Sequence, residues 1–269
     1  MRFLTILFTI SLVSTLHTVM GQGFSLSPSR LFFTGNPGET VNQTLTFGNT
    51  TGKTVSYVAR IQDFDRDSIG NKVYYPAGTK PASNASWISF SSSSVEVPPG
   101  ENRQLVISLN IPVGSKQLTN SMVFFTQVKE QAKKQSAKIS FGVNVLIELG
   151  VQVYYTPNGL TAGEFEFLAF NDLGTHQNKE EKSRRLALKL HNNGNINKDA
   201  FIRFELTNKA SGEEIKIPPT TIAMLPDATQ WVYVDLPTHL KGKFLVVALL
   251  DAGSTYDLKV AEKEIIYRP

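Results

Sequence analysis

The side chains of this 269-residue chain that are best suited to catalysis are its four histidines, because histidine is the usual general base. A hydrolase would also need a nucleophile beside that base and a third group that orients it. The sequence contains no cysteine and no Gly-x-Ser-x-Gly turn, and its histidines are scattered, at His17, His176, His191 and His239. This pattern predicts structural or surface histidines in a protein that is not an enzyme.

A second chemically suggestive stretch runs from Asp63 to Asp67 and is followed by Gly70. Its spaced carboxylates are the kind of ligand that hard cations prefer. An EF-hand loop starting at Asp63 would need glycine at its sixth position and glutamate at its twelfth, but these positions hold Ser68 and Tyr74. The stretch is therefore predicted to be a solvated loop. Because there is no phosphate-binding glycine loop either, the sequence predicts no metal and no cofactor.

The overall charge is modest, with a formal net charge of +4. The basic residues cluster in two polar stretches, 129–138 and 179–185, that have no aromatic residues between the cations. Grooves that bind nucleic acids combine cations with stacking rings, so no nucleic-acid partner is predicted. The absence of cysteine also means that core packing alone must stabilise the fold.

The N-terminus has the features of a secretory signal peptide. Arg2 precedes an apolar stretch from Phe3 to Val19, and the small residue Gly21 follows at the position where a signal peptidase would cut. A membrane anchor is the alternative, but the stretch is short and rich in hydroxyl residues for a spanning helix. We therefore expect residues 1–21 to be removed and the remainder to be exported without stable membrane insertion, to the periplasm or otherwise to the cell surface or medium.

The rest of the chain is predicted to be all-β. Short runs of alternating apolar residues recur roughly every ten residues between turn residues, which is the spacing of a sandwich or barrel. A proline-containing turn at 155–159 separates about nine such runs from about seven more. We predict two immunoglobulin-like antiparallel β-sandwich domains in tandem, at 22–156 and 157–269. The polar stretch 171–184 is predicted to be a mobile loop.

The most unusual segment is a long apolar run at 138–155. One predicted face contains Phe141, Val143, Val145 and Ile147, and the run ends where the first domain is predicted to end. An exposed apolar edge strand is a hazard that proteins normally blunt, so one that is kept can serve to pair with a partner's incomplete sheet. The alternative is that this face belongs to the ordinary core.

Four stretches together resemble periplasmic pilus chaperones of the chaperone–usher pathway. They are Ser-Arg-Leu-Phe-Phe at 29–33, Pro-Pro-Gly-Glu at 98–101, Met-Val-Phe-Phe-Thr-Gln-Val at 122–128 and Val-Tyr-Tyr-Thr-Pro at 153–157. The resemblance implies that Arg30 lies in a cleft between two domains. It also implies that Val143, Val145 and Ile147 are donated to a subunit with an incomplete immunoglobulin-like fold, and that an outer-membrane usher is a further partner.

This chain departs from the family pattern at one position. A second cleft base of the family, a lysine that acts with the arginine on a subunit's C-terminal carboxylate, falls here on Gln152. Glutamine donates hydrogen bonds but carries no charge, so weaker anchoring is expected. For Arg30 itself, an ordinary surface arginine at the start of a strand is the alternative.

A second family also resembles this chain. The Pro-Pro-Gly stretch at 98–100, and the stretches Leu-Pro-Asp-Ala-Thr-Gln-Trp at 225–231 and Leu-Lys-Gly-Lys-Phe at 240–244, are similar to WxL-associated bacterial surface proteins. Those proteins carry a C-terminal membrane helix, which 265–269 does not provide. This resemblance implies an exported module that binds the cell envelope and has no chaperone activity.

Overall fold

A computed structural model describes residues 23–128, 146–177 and 182–267. These residues form eighteen strands and one short 3-10 turn, Ala85–Trp87. No helix in the described ranges is long or apolar enough to cross a membrane. The all-β fold predicted from the spacing of the apolar runs is confirmed.

Ten strands form the N-terminal sandwich. They are β1 Phe24–Ser27, β2 Arg30–Phe33, β3 Thr40–Asn49, β4 Val55–Arg66, β5 Lys72–Pro76, β6 Ile88–Phe90, β7 Ser94–Val97, β8 Asn102–Asn110, β9 Thr119–Gln127 and β10 Glu148–Tyr155. One sheet has the order β1-β3-β8-β6, and the other has the order β2-β10-β9-β4-β5, with β7 also paired to β4.

One strand pair departs from the antiparallel expectation. The first apolar stretch of the sequence divides into β1 and β2, and these pair in different sheets. β1 runs antiparallel to β3, whereas β2 runs parallel to β10. This single parallel pair arises because the chain crosses from one sheet to the other between Ser27 and Arg30, and the predicted antiparallel β-sandwich class is confirmed.

The core of the N-terminal sandwich follows from strict alternation along its strands. In β8, for example, Leu105, Ile107 and Leu109 are almost fully buried while the residues between them face outward. Aromatic rings fill the centre, where Phe47 and Phe125 meet edge to face with ring centroids 4.8 Å apart.

Eight strands form the C-terminal sandwich. They are β11 Phe165–Gln177, β12 Lys182–Asn192, β13 Lys198–Asn208, β14 Glu214–Lys216, β15 Thr220–Met224, β16 Thr229–Leu236, β17 Gly242–Asp251 and β18 Lys259–Tyr267. One sheet has the order β11-β12-β16 and the other β14-β13-β17-β18, with β15 paired to β13. Leu188, Ile202, Phe204 and Val246 are among the buried residues between the two sheets.

The expected mobile loop at 171–184 is instead largely strand. β11 continues to Gln177 and β12 begins at Lys182, and the two pair antiparallel with register shifts. Arg184 forms an ion pair with Asp172 across this hairpin. The loop prediction was wrong because polar side chains on a two-stranded hairpin resemble a loop in sequence.

A third apolar cluster joins the two sandwiches. Phe64, Met122 and Tyr154 on the outer face of the β2-β10-β9-β4-β5 sheet pack against Leu160 and Leu225. Beside this cluster lies a cavity of about 730 Å³ lined by both sandwiches. Each hydrogen-bonded sheet contains strands from one side of Thr156 only. The domain bounds 22–156 and 157–269 stay a prediction.

Candidate functional site

The edge of β10 is only partly covered. β10 pairs with β9 over its whole length, from Glu148 to Tyr155. On its other side β2 pairs with Gln152 to Tyr155 alone. Within the described residues, the first half of β10, Glu148–Val151, therefore has no strand on that side.

The hydrogen-bond pattern shows which backbone groups lie at this open edge. The N–H of Gln127 donates to the carbonyl oxygen of Ile147 over 2.9 Å. The backbone N–H and C=O groups of odd-numbered residues on the β10 side therefore point toward β9. The N–H of Gln152 donates to the carbonyl of Ser29 over 3.0 Å on the opposite side. The backbone N–H and C=O groups of Glu148 and Gly150 point the same way as those of Gln152. Their N–H and C=O groups point to this edge, where no strand pairs with them in the described part of the chain.

The apolar face of β10 continues the core of the sandwich. Val151 and Val153 are fully buried, and half-buried Leu149 packs against the same core. Ile147 shares this face and is half-buried, whereas Leu146 on the other face is 52% exposed. The predicted partner-binding residues Phe141, Val143 and Val145 lie outside the described residues.

The parallel pairing of β2 with β10 places Arg30 directly beside Gln152. Arg30 and Gln152, the two residues predicted to lie in a cleft, are thus neighbours on adjacent strands. The guanidinium of Arg30 forms an ion pair with the carboxylate of Asp199, near the start of β13 in the other sandwich. Arg30 therefore lies between the two sandwiches and already has an anionic partner from the same chain.

Gln152 is buried and held by its neighbour on the same face. The hydroxyl of Tyr154 donates to Oε1 of Gln152 over 2.8 Å. The ring of Tyr154 stacks on Phe32 with centroids 5.3 Å apart. Burial raises the pKa of the Tyr154 hydroxyl, and the charges of Arg66 and Arg30 oppose that rise. The hydroxyl therefore stays protonated and remains a donor to Gln152.

Two further cations lie on the same sheet face. Arg66 at the end of β4 is the register partner of Lys72 at the start of β5. Nη1 of Arg66 donates to the carbonyl of Gly70 over 2.7 Å. Burial, and then the charges of Arg66 and Arg30, lower the pKa of Lys72. The sequence gives no local signal for this grouping, because its members come together only through strand pairing.

The prediction of a solvated loop at Asp63–Asp67 was wrong, because β4 extends to Arg66 and only Asp67 lies in the turn after it. Asp63 is fully buried and accepts hydrogen bonds from the backbone N–H groups of Thr79 and Lys80 and from the hydroxyl of Ser83. Asp67 caps the turn after β4 by accepting from nearby backbone N–H groups. Among the described residues, no group of three or more His, Asp or Glu side chains is arranged to hold a metal ion.

Comparison with known proteins gives likeness at the level of structure only. No family model matches the chain, and no curated protein matches it. The solved structures that resemble it include the CupB2 chaperone of Pseudomonas aeruginosa, at 13% identity and a TM-score of 0.45, covering 89% of this chain and 99% of that one. A CsuC–CsuE chaperone–tip subunit complex of Acinetobacter baumannii is 12% identical, with a TM-score of 0.48 and coverage of 89% and 97%.

A third similar structure is the class 5 fimbriae chaperone CfaA, at 10% identity and a TM-score of 0.48, covering 91% of this chain and 99% of that one. All three are pilus or fimbria chaperones, the family that the motifs around Arg30 and before Pro157 resemble. The predicted resemblance is therefore confirmed as a likeness to solved structures. The resemblance to WxL-associated proteins stays a prediction.

Proposed function

We propose that this protein is an assembly chaperone that binds pilus-type or surface subunits whose immunoglobulin-like fold lacks a strand. The observation that carries the proposal is the open edge of β10, where the backbone groups of Glu148 and Gly150 have no partner strand among the described residues. Backbone pairing at such an edge gives affinity, and alternate side chains give specificity.

The position of Arg30 supports one direction for the bound strand. A strand laid along the open edge lies in line with β2, which begins at Arg30 and runs parallel to β10. A partner strand that runs in the same direction reaches Arg30 with its C-terminal end. Its terminal carboxylate can then pair with the guanidinium, which is the strongest kind of polar contact available at this site. The partner strand is therefore parallel to β10.

The apolar side chains before β10 supply the rest of the contact. In this proposal Phe141, Val143, Val145 and Ile147 extend the face of Leu149 and fill the groove that the missing strand leaves in the subunit. Burying several large side chains from water supplies the main free energy of binding.

The predicted signal peptide at 1–21 and the resemblance to pilus chaperones support export to the periplasm. Similar structures include a chaperone in complex with a tip adhesion subunit and a chaperone in complex with a pilin. They support pilus-type subunits as partners here, and the family resemblance supports an outer-membrane usher that receives the subunit.

The test is co-purification of tagged mature protein from the extracytoplasmic fraction of its own cells, with variants at the open edge. Glu148→Pro removes one edge N–H at the first residue of β10, where proline is tolerated. Glu148→Ala is the matched control, because it loses the same side-chain contacts to Thr126 and Arg60 but keeps the N–H. Val145→Asp tests the apolar face.

We expect a small β-rich protein at about one-to-one stoichiometry with the wild type and with Glu148→Ala. It should be lost with Glu148→Pro and with Val145→Asp. If all four preparations retain the same envelope components, or if none retains a protein, the chaperone proposal fails. An exported module that binds the envelope then becomes the better account.

A further inference from the structure

The outer face of one sheet of the C-terminal sandwich has an exposed apolar patch. Phe201 on β13 is 61% exposed, and Val260 on β18 is 51% exposed. Half-buried Leu249 on β17 lies between them, because it is the register partner of Val260 on one side and of Arg203 on the other. Phe201 is two residues before Arg203 and shares its face, so its ring can reach Leu249 diagonally across the strands. We call Phe201, Leu249 and Val260 the Phe201 patch.

The Phe201 patch begins beside the junction of the two sandwiches. Phe201 and Asp199 are two residues apart on β13, so they lie on the same face with their Cα atoms about 7 Å apart. The carboxylate of Asp199 forms the ion pair with Arg30 of the N-terminal sandwich. In the proposed function the bound strand ends at Arg30. The patch therefore continues the proposed binding surface from Arg30 through Asp199 onto the C-terminal sandwich.

Acidic side chains border the Phe201 patch. Asp251 is the register partner of Phe201, and Glu262 follows Val260 by two residues on the same face. Both are exposed, and no ion pair between described residues involves either of them. Contiguous exposed apolar side chains with a polar rim are typical of interaction surfaces. An acidic rim is complementary to lysine or arginine on the partner.

We propose that the Phe201 patch is a second contact surface for the bound subunit, and that it takes an apolar surface edged by lysine or arginine on the folded body of that subunit. This inference rests on the proposed function, because the occupant is the subunit whose strand lies along the open edge of β10. Backbone pairing at that edge accepts many sequences, whereas the patch selects subunits by the chemistry of their surface.

The test places the photo-cross-linker p-benzoylphenylalanine at position 201 of the mature chain, expressed in its own cells. The probe is the small β-rich protein that co-purifies with the wild type, identified by peptide mass. Position 168 is the matched control, because Leu168 is 50% exposed but lies on β11, in the other sheet of the same sandwich. We expect a cross-link to that protein from position 201 and none from position 168. Adding Glu148→Pro should abolish the cross-link from position 201.

Dissociation of the purified complex gives a second readout. Phe201→Ser should speed dissociation about ten-fold, since it removes a large apolar side chain from the contact, and Leu168→Ser should leave the rate unchanged. Melting temperatures show that both variants fold.

Three results would overturn the inference. If the wild type retains the subunit but position 201 gives no cross-link to it and Phe201→Ser dissociates like the wild type, the inference is wrong and the proposed function stands. A cross-link from position 201 only to a second copy of this chain, or only to a different protein, assigns the patch to that partner instead. If the wild type retains no β-rich protein, the proposed function fails and the inference fails with it.

Discussion

Arg30 and Asp199 form an ion pair across the junction of the two sandwiches, although 169 residues separate them in the chain. Arg30 begins β2, and Asp199 is the second residue of β13. Both side chains are partly exposed, at 31% and 44%. In the proposed function, a partner's carboxylate must therefore compete with Asp199 for the guanidinium.

The first prediction concerns this competition. Asp199→Asn should raise the affinity of a short strand-forming peptide with a free C-terminal carboxylate about two- to five-fold, since a partly exposed ion pair is worth no more than about 1 kcal/mol. Fluorescence anisotropy measures the change. Asp235→Asn is the control, because it breaks a similarly exposed ion pair with Arg185 away from the cleft. Unchanged or weaker binding by Asp199→Asn would show that Asp199 orients Arg30 instead of occupying it.

The second prediction concerns pH. His191 lies 2.9 Å from Asp227 and 3.5 Å from Glu166. The hydrogen bond to Asp227, followed by that to Glu166, raises the pKa of the imidazole above its ordinary value of 6.5. The folded state therefore binds the proton more tightly than the unfolded state. This stabilisation is fully present below about pH 6.5 and is lost as the pH rises through the raised pKa.

Urea unfolding between about pH 5 and pH 9 tests this expectation. The free energy of unfolding should fall by less than about 1 kcal/mol across the interval, because the group is partly solvated. His191→Gln should remove this dependence of the unfolding free energy on pH, and Asp227→Asn should make it smaller. A slope that His191→Gln leaves unchanged would assign the pH dependence to other groups.

The third prediction concerns Tyr57, a core residue that is 1% exposed. Its hydroxyl has no hydrogen-bond partner among the described residues, and burial raises its pKa to about 12. Tyr57→Phe keeps the ring packing against Phe24 and Phe47 and removes the unpaired oxygen. We expect a gain in stability of up to about 1 kcal/mol. Between pH 10 and about 12, the free energy of unfolding should also fall less steeply in Tyr57→Phe than in the wild type.

Urea unfolding again provides the measurement, and Tyr154→Phe is the comparison. That change removes a hydroxyl that is bonded to Gln152, so it should destabilise the protein by about 1 kcal/mol. Destabilisation by Tyr57→Phe of the same size would mean that the buried hydroxyl has a partner, such as an ordered water.

Most of the fold could be predicted from local alternation. Strands such as β8 and β13 bury every second residue, and period-2 patterns report this directly. β5 and β15 were not predicted, because each is only five residues long and offers too few alternations to stand out. β15 pairs with the first residues of β13, a tertiary contact that the local sequence does not report.

The candidate site was only partly predictable. Motif resemblance identified Arg30 and Gln152, but their adjacency depends on the parallel pairing of β2 with β10. Arg66, Lys72 and Asp199 have no local signal, since charged residues at strand ends are ordinary in any sequence. What brings them together is sheet order and the junction between sandwiches, neither of which a period-2 pattern encodes.

The last prediction concerns that junction. Gly70 has a φ of +87° in the turn between β4 and β5, and a Cβ there would collide with the side chain of Gln230 in the C-terminal sandwich. Two residues earlier, the carbonyl of Ser68 accepts a hydrogen bond of 2.7 Å from the N–H of Trp231. Gly70→Ala should therefore cost about 1–2 kcal/mol in backbone strain and also push the turn away from β16.

Gly78→Ala is the matched control, because Gly78 has a φ of +79° but no atom within 4 Å of the added Cβ. Both variants should lose similar stability in urea from backbone strain. Only Gly70→Ala should speed hydrogen exchange of the Trp231 N–H, which reports local opening of the contact between sandwiches. Equal exchange in the two variants would mean that the turn yields without loosening the junction, and that Leu160, Leu225 and the apolar cluster around Phe64 hold the two sandwiches together by themselves.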